Sequence, residues 1–551
     1  MAIAISDGIH VAGTLARAGM LRPSRPDRAL RAIVGLRRFG PTLAAGVLGG
    51  AARYPDVPAI IDDEGTVTFG QLDARTNALA RGLAGHGLTA GRSVALMCRN
   101  HRGFVEVCVA CSKLGVHVVL LNTGFAGPQV AEVVQREGAA GLIYDREFRA
   151  TIQDARDGRV CFLADGPELP KDTDGHDGSD APARSEDSDG PDTTLAQLIA
   201  TRVATPLPPP PDAGRAIILT SGTTGTPKGA NRPAPSSMGP MAALLSAIPL
   251  RARGTTLISA PLFHAWGFAH MLLAAALSST IVLRRRFDPL DAVRTIATHR
   301  ADALVVVPVM LQRMLEADVE ERHHLDTSSL RVIAVSGSAL PGPLANRVMD
   351  VFGETLYNLY GSTEVAWATV AGPVDLRAAP GTAGRPPRGT VVRILDDGGD
   401  ELPAGTSGRI FVGSELLFEG YTGGGDKDRR NGLMATGDVG HFDPDGRLFV
   451  DGRDDDMIVS GGENVFPGEV EDLLAGLPGV REVAVVGVPD DEFGQRLRAV
   501  VSLHPGADLD EDRLQEYVRT HLARYKVPRE VVFVDQLPRN ATGKILKREL
   551  R

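Results

Sequence analysis

The chain has few cysteines and few aromatic residues, and it shows no disulfide framework. Its four cysteines among 551 residues are Cys98, Cys108, Cys111 and Cys161, a usage that fits a reducing cytoplasm. Cys108 and Cys111 have the C-x-x-C spacing of redox or zinc sites. They lie, however, in the apolar run FVEVCVACSKLGVHVVLL with no second Cys or His pair nearby. Buried free thiols are therefore favoured over a redox or metal site.

The chain also lacks a basic excess and a membrane-spanning run. Its formal net charge is −9 and its pI is about 5.9. This argues against a dominant nucleic-acid role, which normally needs a basic face. The longest apolar stretches, Val105–Leu121 and Met271–Leu283, are interrupted or too short for a bilayer, which takes about 20 residues. No basic start followed by a long apolar core is present, so no signal peptide is expected and a cytoplasmic protein is predicted.

Residues 11–50 alternate arginine with leucine, valine and alanine. The pattern suits a surface helix resting on lipid, or a solvated helix packed on its own domain, and the second is favoured. Peripheral membrane contact stays open at this point, as does the oligomeric state.

What the chain does contain is a repeated alternation of strand and helix patterns. The segments SVALMCRN, HVVLLN, AAGLIYD and LRVIAVSGSAL are typical of buried strands, and helical runs such as FVEVCVACSKLGV accompany them. From about Arg388, short β runs with Gly-rich turns begin. We therefore predict an α/β fold whose large N-terminal part combines wound α/β sheets with a small β-barrel-like unit. A small mobile α+β domain is predicted to follow.

The predicted division of the chain has three parts. Residues 1–49 form an N-terminal helical extension, residues 50–451 a large domain, and residues 452–551 a small C-terminal domain with a hinge at 453–456. Residues 165–193 are acidic and rich in Gly, Ser and Pro, which predicts a disordered surface insertion.

The stretch LTSGTTGTPKGA, residues 219–230, is the first candidate for chemistry. It follows the predicted strand RAIILT, where α/β sheets place phosphate loops. Its glycines let the backbone approach a ligand, and Lys228 adds a positive charge. A polar turn is the plain alternative, but five hydroxyl side chains interleaved with glycines exceed what a turn needs. Pro227 and Gly229 flank the lysine where a Walker loop needs Gly and Ser or Thr, which argues against a P-loop ATPase or kinase.

Four further stretches are ambiguous when each is taken alone. NLYGSTE offers the aromatic ring of Tyr360 and, in Glu364, a hard oxygen suited to Mg²⁺, although a surface turn would look similar. In MATGDVG, Asp438 suits either a ribose diol or a turn. DGRDDDMIVSGGENVFPGEVE carries Arg453 and an aspartate run that is either solvated or a hinge. LPRNATGKILKREL projects Lys544 from a tight turn, unless this is an ordinary surface lysine.

In this order, the five stretches resemble motifs of the acyl-adenylate-forming superfamily, which includes acyl- and aryl-CoA synthetases, peptide-synthetase adenylation domains and beetle luciferases. The matching segments are LTSGTTGTPKG, YGSTE, TGD, GRDDDMIVSGGENVFP and PRNATGKILKREL, and the resemblance covers residues 50–551. It implies ATP-dependent activation of a carboxylic acid to acyl-AMP, followed by transfer to a thiol. ATP, Mg²⁺ and coenzyme A are the implied cofactors.

The resemblance also assigns roles to individual residues. By this resemblance, the residues that would bind the phosphates of ATP are Thr220, Ser221, Gly222, Thr223, Thr224, Gly225 and Lys228. Tyr360 and the adjoining Gly361 would contact one side of the adenine, and Gly337, Ser338 and Ala339 would line its other side. Asp438 and Arg453 would hold the ribose, Thr363 the α-phosphate and Glu364 the metal. Asp455 matches the hinge position, Lys544 the mobile catalytic lysine, and Gly461 and Gly462 the coenzyme A approach.

Pro261–Leu277 occupies the acid-pocket segment of the family. It carries His264, Trp266 and His270 but no carboxylate, whereas amino-acid-activating members commonly place an Asp nearby for the substrate ammonium. An uncharged acyl tail fits better. His264 matches a position near the substrate carboxylate, where it could act in catalysis or gate the pocket, whereas a core histidine is a fair reading of His270.

VVVPVMLQRMLE (Val305–Glu316) resembles the corresponding segment of fatty acyl-CoA synthetases, and a medium- or long-chain fatty acid is the predicted substrate. An aryl or other carboxylic acid is the alternative. No carrier domain follows the Lys544 motif, so coenzyme A is the expected acceptor. The alternative is a fatty acyl-AMP ligase that passes the acyl group to a separate carrier protein. A non-catalytic nucleotide-binding module would predict a degraded Lys544 or Glu364, and both are present.

Overall fold

The computed structural model describes residues 2–21, 25–165, 192–220, 227–231, 237–460, 463–490 and 494–551. Three predictions fall largely outside these ranges: the insertion at 165–193, the loop residues Ser221–Gly225, and the glycines at 461 and 462. They stay predictions.

Three helices open the chain: α1 (Ala2–Arg17), α2 (Pro26–Phe39) and α3 (Leu43–Arg53). Pro26 lies in the first turn of α2, where its missing N–H costs no helical hydrogen bond. Thr42 caps α3, its hydroxyl accepting the Ala45 N–H at 3.4 Å. No helix in the described part of the chain is both long and apolar enough to span a bilayer.

The large domain continues with alternating strands and helices. Its strands are β1 (Pro58–Asp62), β2 (Gly65–Thr68), β3 (Ser93–Met97), β4 (His117–Leu120), β5 (Ala139–Tyr144), β6 (Val160–Leu163), β7 (Thr193–Thr194), β8 (Ala216–Thr220), β9 (Lys228–Asn231), β10 (Thr255–Ile258), β11 (Thr280–Val282), β12 (Ala303–Val306), β13 (Val332–Val335), β14 (Leu356–Tyr360) and β15 (Thr369–Ala371). Its helices are α4 (Phe69–Gly85), α5 (Arg102–Leu114), α6 (Gly127–Arg136), α7 (Leu195–Ala200), α8 (Gly239–Ala247), α9 (Ala265–Ala276), α10 (Pro289–His299), α11 (Pro308–Glu316), α12 (Val319–His324), α13 (Gly342–Phe352) and α14 (Pro373–Ala378).

The first of two large sheets has eight described strands in the order β15-β14-β13-β12-β10-β11-β1-β2. Its inner pairs are parallel, and the pairs at its two edges are antiparallel. Every residue of β12 and β13 is buried, as expected for parallel strands covered on both faces. The carboxyl ends of β13 and β14 therefore open at one edge, with Val335 opposite Asn358.

The second large sheet also has eight described strands, in the order β18-β9-β8-β4-β3-β5-β6-β7, where β18 is the short strand Gly420–Tyr421. Its strands from β8 to β7 pair in parallel. At the other edge, β8, β9 and β18 pair antiparallel.

One hydrophobic core joins the two sheets. Ile60 and Val305 from the first sheet and Val94 from the second belong to the same buried cluster, together with residues of α5. Cys108 and Cys111 lie on α5 as buried free thiols, which confirms the sequence prediction. Burial raises the pKa of the Cys111 thiol to about 12, so this thiol stays protonated at neutral pH.

A smaller antiparallel sheet follows. Its strands are β16 (Val391–Leu395), β17 (Gly408–Gly413), β19 (Arg429–Arg430), β20 (Leu433–Phe442) and β21 (Leu448–Arg453), in the order β16-β17-β20-β19 with β21 paired to β20. The pairing of β20 with β21 sets Asp438 directly opposite Arg453. A single turn of 3₁₀ helix, Asp454–Asp456, leads on to the last part of the chain.

The small C-terminal domain contains β22 (Ile458–Ser460), β23 (Glu463–Val465), α15 (Pro467–Ala475), β24 (Val480–Asp490), β25 (Gly494–Leu503), α16 (Glu511–His521) and β26 (Glu530–Phe533). Its sheet has the order β23-β22-β25-β24, with β26 parallel to β25. Val485, Val501, Leu514 and Val518 bury α16 against this sheet. The predicted α/β fold with a large N-terminal part and a small α+β domain is confirmed.

Candidate active site

The predicted phosphate loop joins two paired strands. Thr220 ends β8 and Lys228 begins β9, and the two residues lie opposite each other. The Thr220 hydroxyl donates to the Lys228 carbonyl at 3.2 Å. The residues between them, 221–226, lie outside the described chain. The two strand ends, Thr220 and Lys228, lie at the antiparallel edge of the second sheet, where β9 also pairs with β18.

Tyr360, Asp438 and Arg453, which the motifs assign to the nucleotide, form one cluster. The Tyr360 hydroxyl donates to Asp438 Oδ2 at 2.6 Å, and Arg453 Nε lies 3.6 Å from Asp438 Oδ1. Burial raises the pKa of Tyr360 well above its usual value, and the neighbouring Asp438 adds to this rise. Tyr360 is therefore a neutral donor. The cluster presents a carboxylate and a guanidinium beside a half-buried aromatic ring, which suits a ribose and its base.

Glu364 lies in the turn after β14 and has a partner that the sequence did not predict. Its Oε1 accepts the Tyr421 hydroxyl at 2.8 Å, and Lys228 Nζ lies 5.3 Å from the centre of the Tyr421 ring. Tyr421 thereby connects the exit of the phosphate loop to the predicted metal ligand. The side chain of Glu364 is largely buried. A carboxylate in the turn after a parallel strand offers the hard oxygen ligand that Mg²⁺ prefers, so Glu364 fits the implied metal.

Two glycines shape the turns that surround Tyr360. Gly337 follows β13 with a φ of 101°, a conformation that favours glycine, and it leads into Ser338 and Ala339 beside the end of β14. A Cβ on Gly361 would collide with the Ala366 carbonyl. Both predicted glycines are therefore required by the backbone.

Lys544 lies in the small domain and is brought to this cluster. Its N–H donates to Asn540 Oδ1 at 3.0 Å, which closes a turn through Gly543. A Cβ on Gly543 would lie 2.6 Å from Val309 Cγ1, so the turn packs directly against the large domain. Burial raises the pKa of Asp438, while Tyr360, Arg453 and the charge of Lys544 act in the opposite direction. Lys544 therefore lies close enough to Asp438 for its charge to favour the ionised carboxylate.

His264 precedes α9 at the start of the predicted acid pocket. Its Nε2 is buried and has no hydrogen-bond partner among the described residues, and its ring lies 4.7 Å from that of Phe263. Burial lowers the pKa of His264 to about 4, so the imidazole is neutral at pH 7. His270, one helical turn after Trp266 in α9, has Nδ1 3.1 Å from the Trp266 carbonyl and a pKa lowered by burial to about 4. Neither histidine supplies a positive charge to this segment.

Asp455 is the middle residue of the 3₁₀ turn between β21 and β22. Both flanking residues are tied: Asp454 lies 3.6 Å from Arg409, and Asp456 lies 3.3 Å from Arg551. The predicted hinge at 453–456 therefore coincides with a short connection between two sheets, and its role as a hinge stays a prediction.

A second polar cluster lies away from these motifs. Cys98, His101 and Asp145 place potential metal-ligating atoms within 4.8 Å of one another. Both ring nitrogens of His101 are engaged, however: Nδ1 accepts the Gly103 N–H at 3.1 Å, and Nε2 lies 2.7 Å from Asp145 Oδ1. The Arg99 N–H also donates to Asp145, at 2.8 Å. These contacts tie the ends of β3 and β5 together, and the cluster is structural.

Family models match most of the chain. A model described as AMP-binding enzyme matches residues 49–422, and one described as AMP-binding enzyme C-terminal domain matches residues 469–544. The chain belongs to the AMP-binding enzyme family. The predicted superfamily is thereby confirmed, and so is the predicted class of enzyme, an AMP-forming acid–thiol ligase. ATP and coenzyme A are the cofactors of this class, with Mg²⁺ as the accompanying metal.

The similar proteins within the AMP-binding enzyme family act on different acids. A feruloyl-CoA synthase of an Amycolatopsis species is 33% identical, covering 91% of this chain and 96% of its own length. A long-chain fatty acid–CoA ligase of Mycobacterium tuberculosis is 32% identical, covering 88% and 92%. The solved o-succinylbenzoate CoA synthetase of Bacillus subtilis, in complex with its acyl-adenylate, is 27% identical with a TM-score of 0.76, covering 92% and 97%. The comparisons therefore leave the acid of this AMP-binding enzyme open.

Proposed function

We propose that this AMP-binding enzyme activates a carboxylic acid with an apolar tail, in first place a medium- or long-chain fatty acid, and transfers it to coenzyme A. The observation that carries the proposal is the chemistry of Pro261–Leu277. This segment contains no carboxylate, and burial keeps its two histidines uncharged, with pKa values lowered to about 4. A charged tail would find no counter-charge there, and burying one would be costly.

The nucleotide is proposed to bind across the Tyr360–Asp438–Arg453 cluster. Asp438 is placed to accept hydrogen bonds from the ribose hydroxyls, because its carboxylate is held from both sides by Tyr360 and Arg453. Gly337–Ala339 and the turn at Gly361 would enclose the adenine beside Tyr360. The loop that begins at Thr220 and ends at Lys228 would hold the β- and γ-phosphates.

In the first step, a substrate carboxylate oxygen attacks the α-phosphorus of ATP, and the bond from that phosphorus to the pyrophosphate oxygen breaks. No general base is needed because the carboxylic acid is already ionised near pH 7. Lys544 supports the proposal because it lies close enough to Asp438 to act on that pKa. Its ammonium would stabilise the negative charge that develops at the α-phosphate, while Thr363 contacts that phosphate. Mg²⁺ bound at Glu364 would neutralise phosphate charge.

In the second step, the thiol sulfur of coenzyme A attacks the acyl carbon, and the bond from that carbon to the AMP phosphate oxygen breaks. AMP leaves with the bonding electron pair, and the thiol proton is released to solvent. Lys544 has no role in this displacement, so the small domain is proposed to rotate about 453–456 and withdraw it. Coenzyme A would approach past Gly461 and Gly462. Neutral His264 would line the entry of the acid and exclude water from the acyl-AMP.

A panel of acids with product analysis tests the proposal. The enzyme is incubated with ATP, Mg²⁺ and coenzyme A together with fatty acids of increasing length, ferulate, o-succinylbenzoate and an amino acid. We expect acyl-CoA and AMP from the fatty acids. A preference for ferulate would show that the substrate is an aryl acid and not a fatty acid. Accumulation of acyl-AMP despite coenzyme A would favour the alternative acceptor, a separate carrier protein.

A further inference from the structure

The outward face of α2 carries apolar side chains where a solvated helix would carry polar ones. Leu30, Ile33 and Val34 are 62%, 52% and 42% exposed. Their spacing of i, i+3 and i+4 places them on one side of the helix, so they form a continuous apolar stripe.

The stripe is not the face by which α2 packs on the protein, because the opposite face of α2 already has that role. Gly35 and Phe39 are buried there, and a Cβ on Gly35 would lie 2.6 Å from Leu48 Cδ2 of α3. Arg28 Nη1 donates to the Arg53 carbonyl at the end of α3, at 3.0 Å. The packing against α3 fixes which side of α2 faces outward.

The stripe lies in a strongly basic segment of an acidic protein. Residues 25–39 contain five arginines and one aspartate, whereas the whole chain has a net charge of −9. Arg31, Arg37 and Arg38 are exposed, and Arg31 pairs with Asp27 at 2.8 Å. An apolar stripe combined with exposed arginines is the surface of a helix that lies in the interface of an anionic bilayer.

We propose that α2 docks the enzyme on an anionic lipid surface. Leu30, Ile33 and Val34 enter the headgroup region, and Arg37 and Arg38 contact lipid phosphates. A second copy of the chain suits the stripe less well, since a two-fold contact would set the same arginines against each other. The segment precedes the AMP-binding enzyme match, which begins at residue 49, and contributes none of the residues placed in the active site.

Vesicle binding by the full chain tests the proposal. The protein is sedimented with phosphatidylcholine vesicles that either contain or lack phosphatidylglycerol. We expect binding to the anionic vesicles that weakens as salt is added. Arg37→Gln with Arg38→Gln should lower the partition coefficient about fivefold for each arginine, and Leu30→Ser with Ile33→Ser about tenfold. Each variant should retain acid-dependent pyrophosphate exchange, which shows that it folds.

Matched controls use exposed residues elsewhere. Arg513→Gln with Arg519→Gln removes the same charge from α16, and Val374→Ser changes an apolar residue that is 82% exposed. Both should bind vesicles like the wild type. The proposal fails if the wild type does not bind anionic vesicles, or if the controls lose as much binding as the α2 variants. It also fails if Leu30→Ser with Ile33→Ser converts a dimer to a monomer in sedimentation velocity while vesicle binding is unchanged.

Discussion

At the scale of single residues, the relationship between Lys544 and Asp438 links the two domains. The two side chains come from different domains, yet the charge of Lys544 opposes the rise in the pKa of Asp438 that burial causes. The approach depends on Gly543, which has a φ of 80° and packs against Val309. Any side chain at 543 would push the turn away from the large domain. The position of Lys544 is therefore set by close backbone packing as well as by its own charge.

Lys544→Ala is expected to slow acyl-AMP formation about a hundred- to a thousandfold, the usual loss when one charge-stabilising donor is removed. Thioester formation from supplied acyl-AMP should be retained, because that displacement does not use the lysine. Pyrophosphate exchange and acyl-CoA formation measure the two half-reactions separately. Lys547→Ala is the matched control, since Lys547 pairs with Glu471 inside its own domain at 2.8 Å. Equal loss of both half-reactions in Lys544→Ala would contradict the proposal that the small domain adopts one arrangement for acyl-AMP formation and another for thioester formation.

Tyr421 shows at the same scale what the sequence could not predict. The motifs identified Glu364, and the structure adds that Tyr421, 57 residues further along the chain, holds its carboxylate. Tyr421 belongs to a strand of two residues, Gly420–Tyr421. Such a strand is too short for a periodic pattern. The sequence showed only that Tyr421 is an aromatic residue in the Gly-rich stretch EGYTGGG. This does not indicate that its hydroxyl contacts Glu364.

At the scale of elements, short apolar runs predicted the buried strands well. SVALMCRN contains β3, and LRVIAVSGSAL contains β13, because parallel strands buried on both faces are continuous apolar runs. The sequence could not predict the order of the strands in the sheets, because neighbouring strands are often distant in the chain. For example, β1 pairs with β11, which follows it by more than two hundred residues.

The 3₁₀ turn Asp454–Asp456 is the element proposed to rotate. Asp455→Pro is expected to preserve acyl-AMP formation and to block thioester formation, the reverse of Lys544→Ala. Proline suits this turn, because 3₁₀ helices have φ near −60° and the proline ring fixes φ near −65°. The arrangement with Lys544 at the active site is thereby retained while rotation is hindered. Asp455→Ala, which leaves the backbone free, is the control, and normal overall turnover in Asp455→Pro would show that the hinge lies elsewhere.

At the scale of the whole molecule, α11 is one of the surfaces of the large domain that contact the small domain. Val309 packs against Gly543, the Gln312 side chain donates to the Arg481 carbonyl at 2.9 Å, and Glu316 pairs with Arg481 at 2.7 Å. The spacing 309, 312 and 316 places the three side chains on one face of the helix. The segment VVVPVMLQRMLE therefore contacts the small domain in this structure, and we infer that the contact favours the arrangement in which Lys544 acts near Asp438.

Breaking this contact should shift the balance between the two half-reactions without unfolding the protein. Arg481→Ala removes a partly exposed ion pair worth at most about 1 kcal/mol, which corresponds to a change of up to about fivefold in the population of the adenylating arrangement. We expect pyrophosphate exchange to slow by up to that factor, while thioester formation from supplied acyl-AMP is unchanged or faster. Arg496→Ala is the matched control, because Arg496 pairs with Glu530 within the small domain at 2.9 Å. If both variants change the ratio of the two rates equally, the contact with α11 does not select the arrangement.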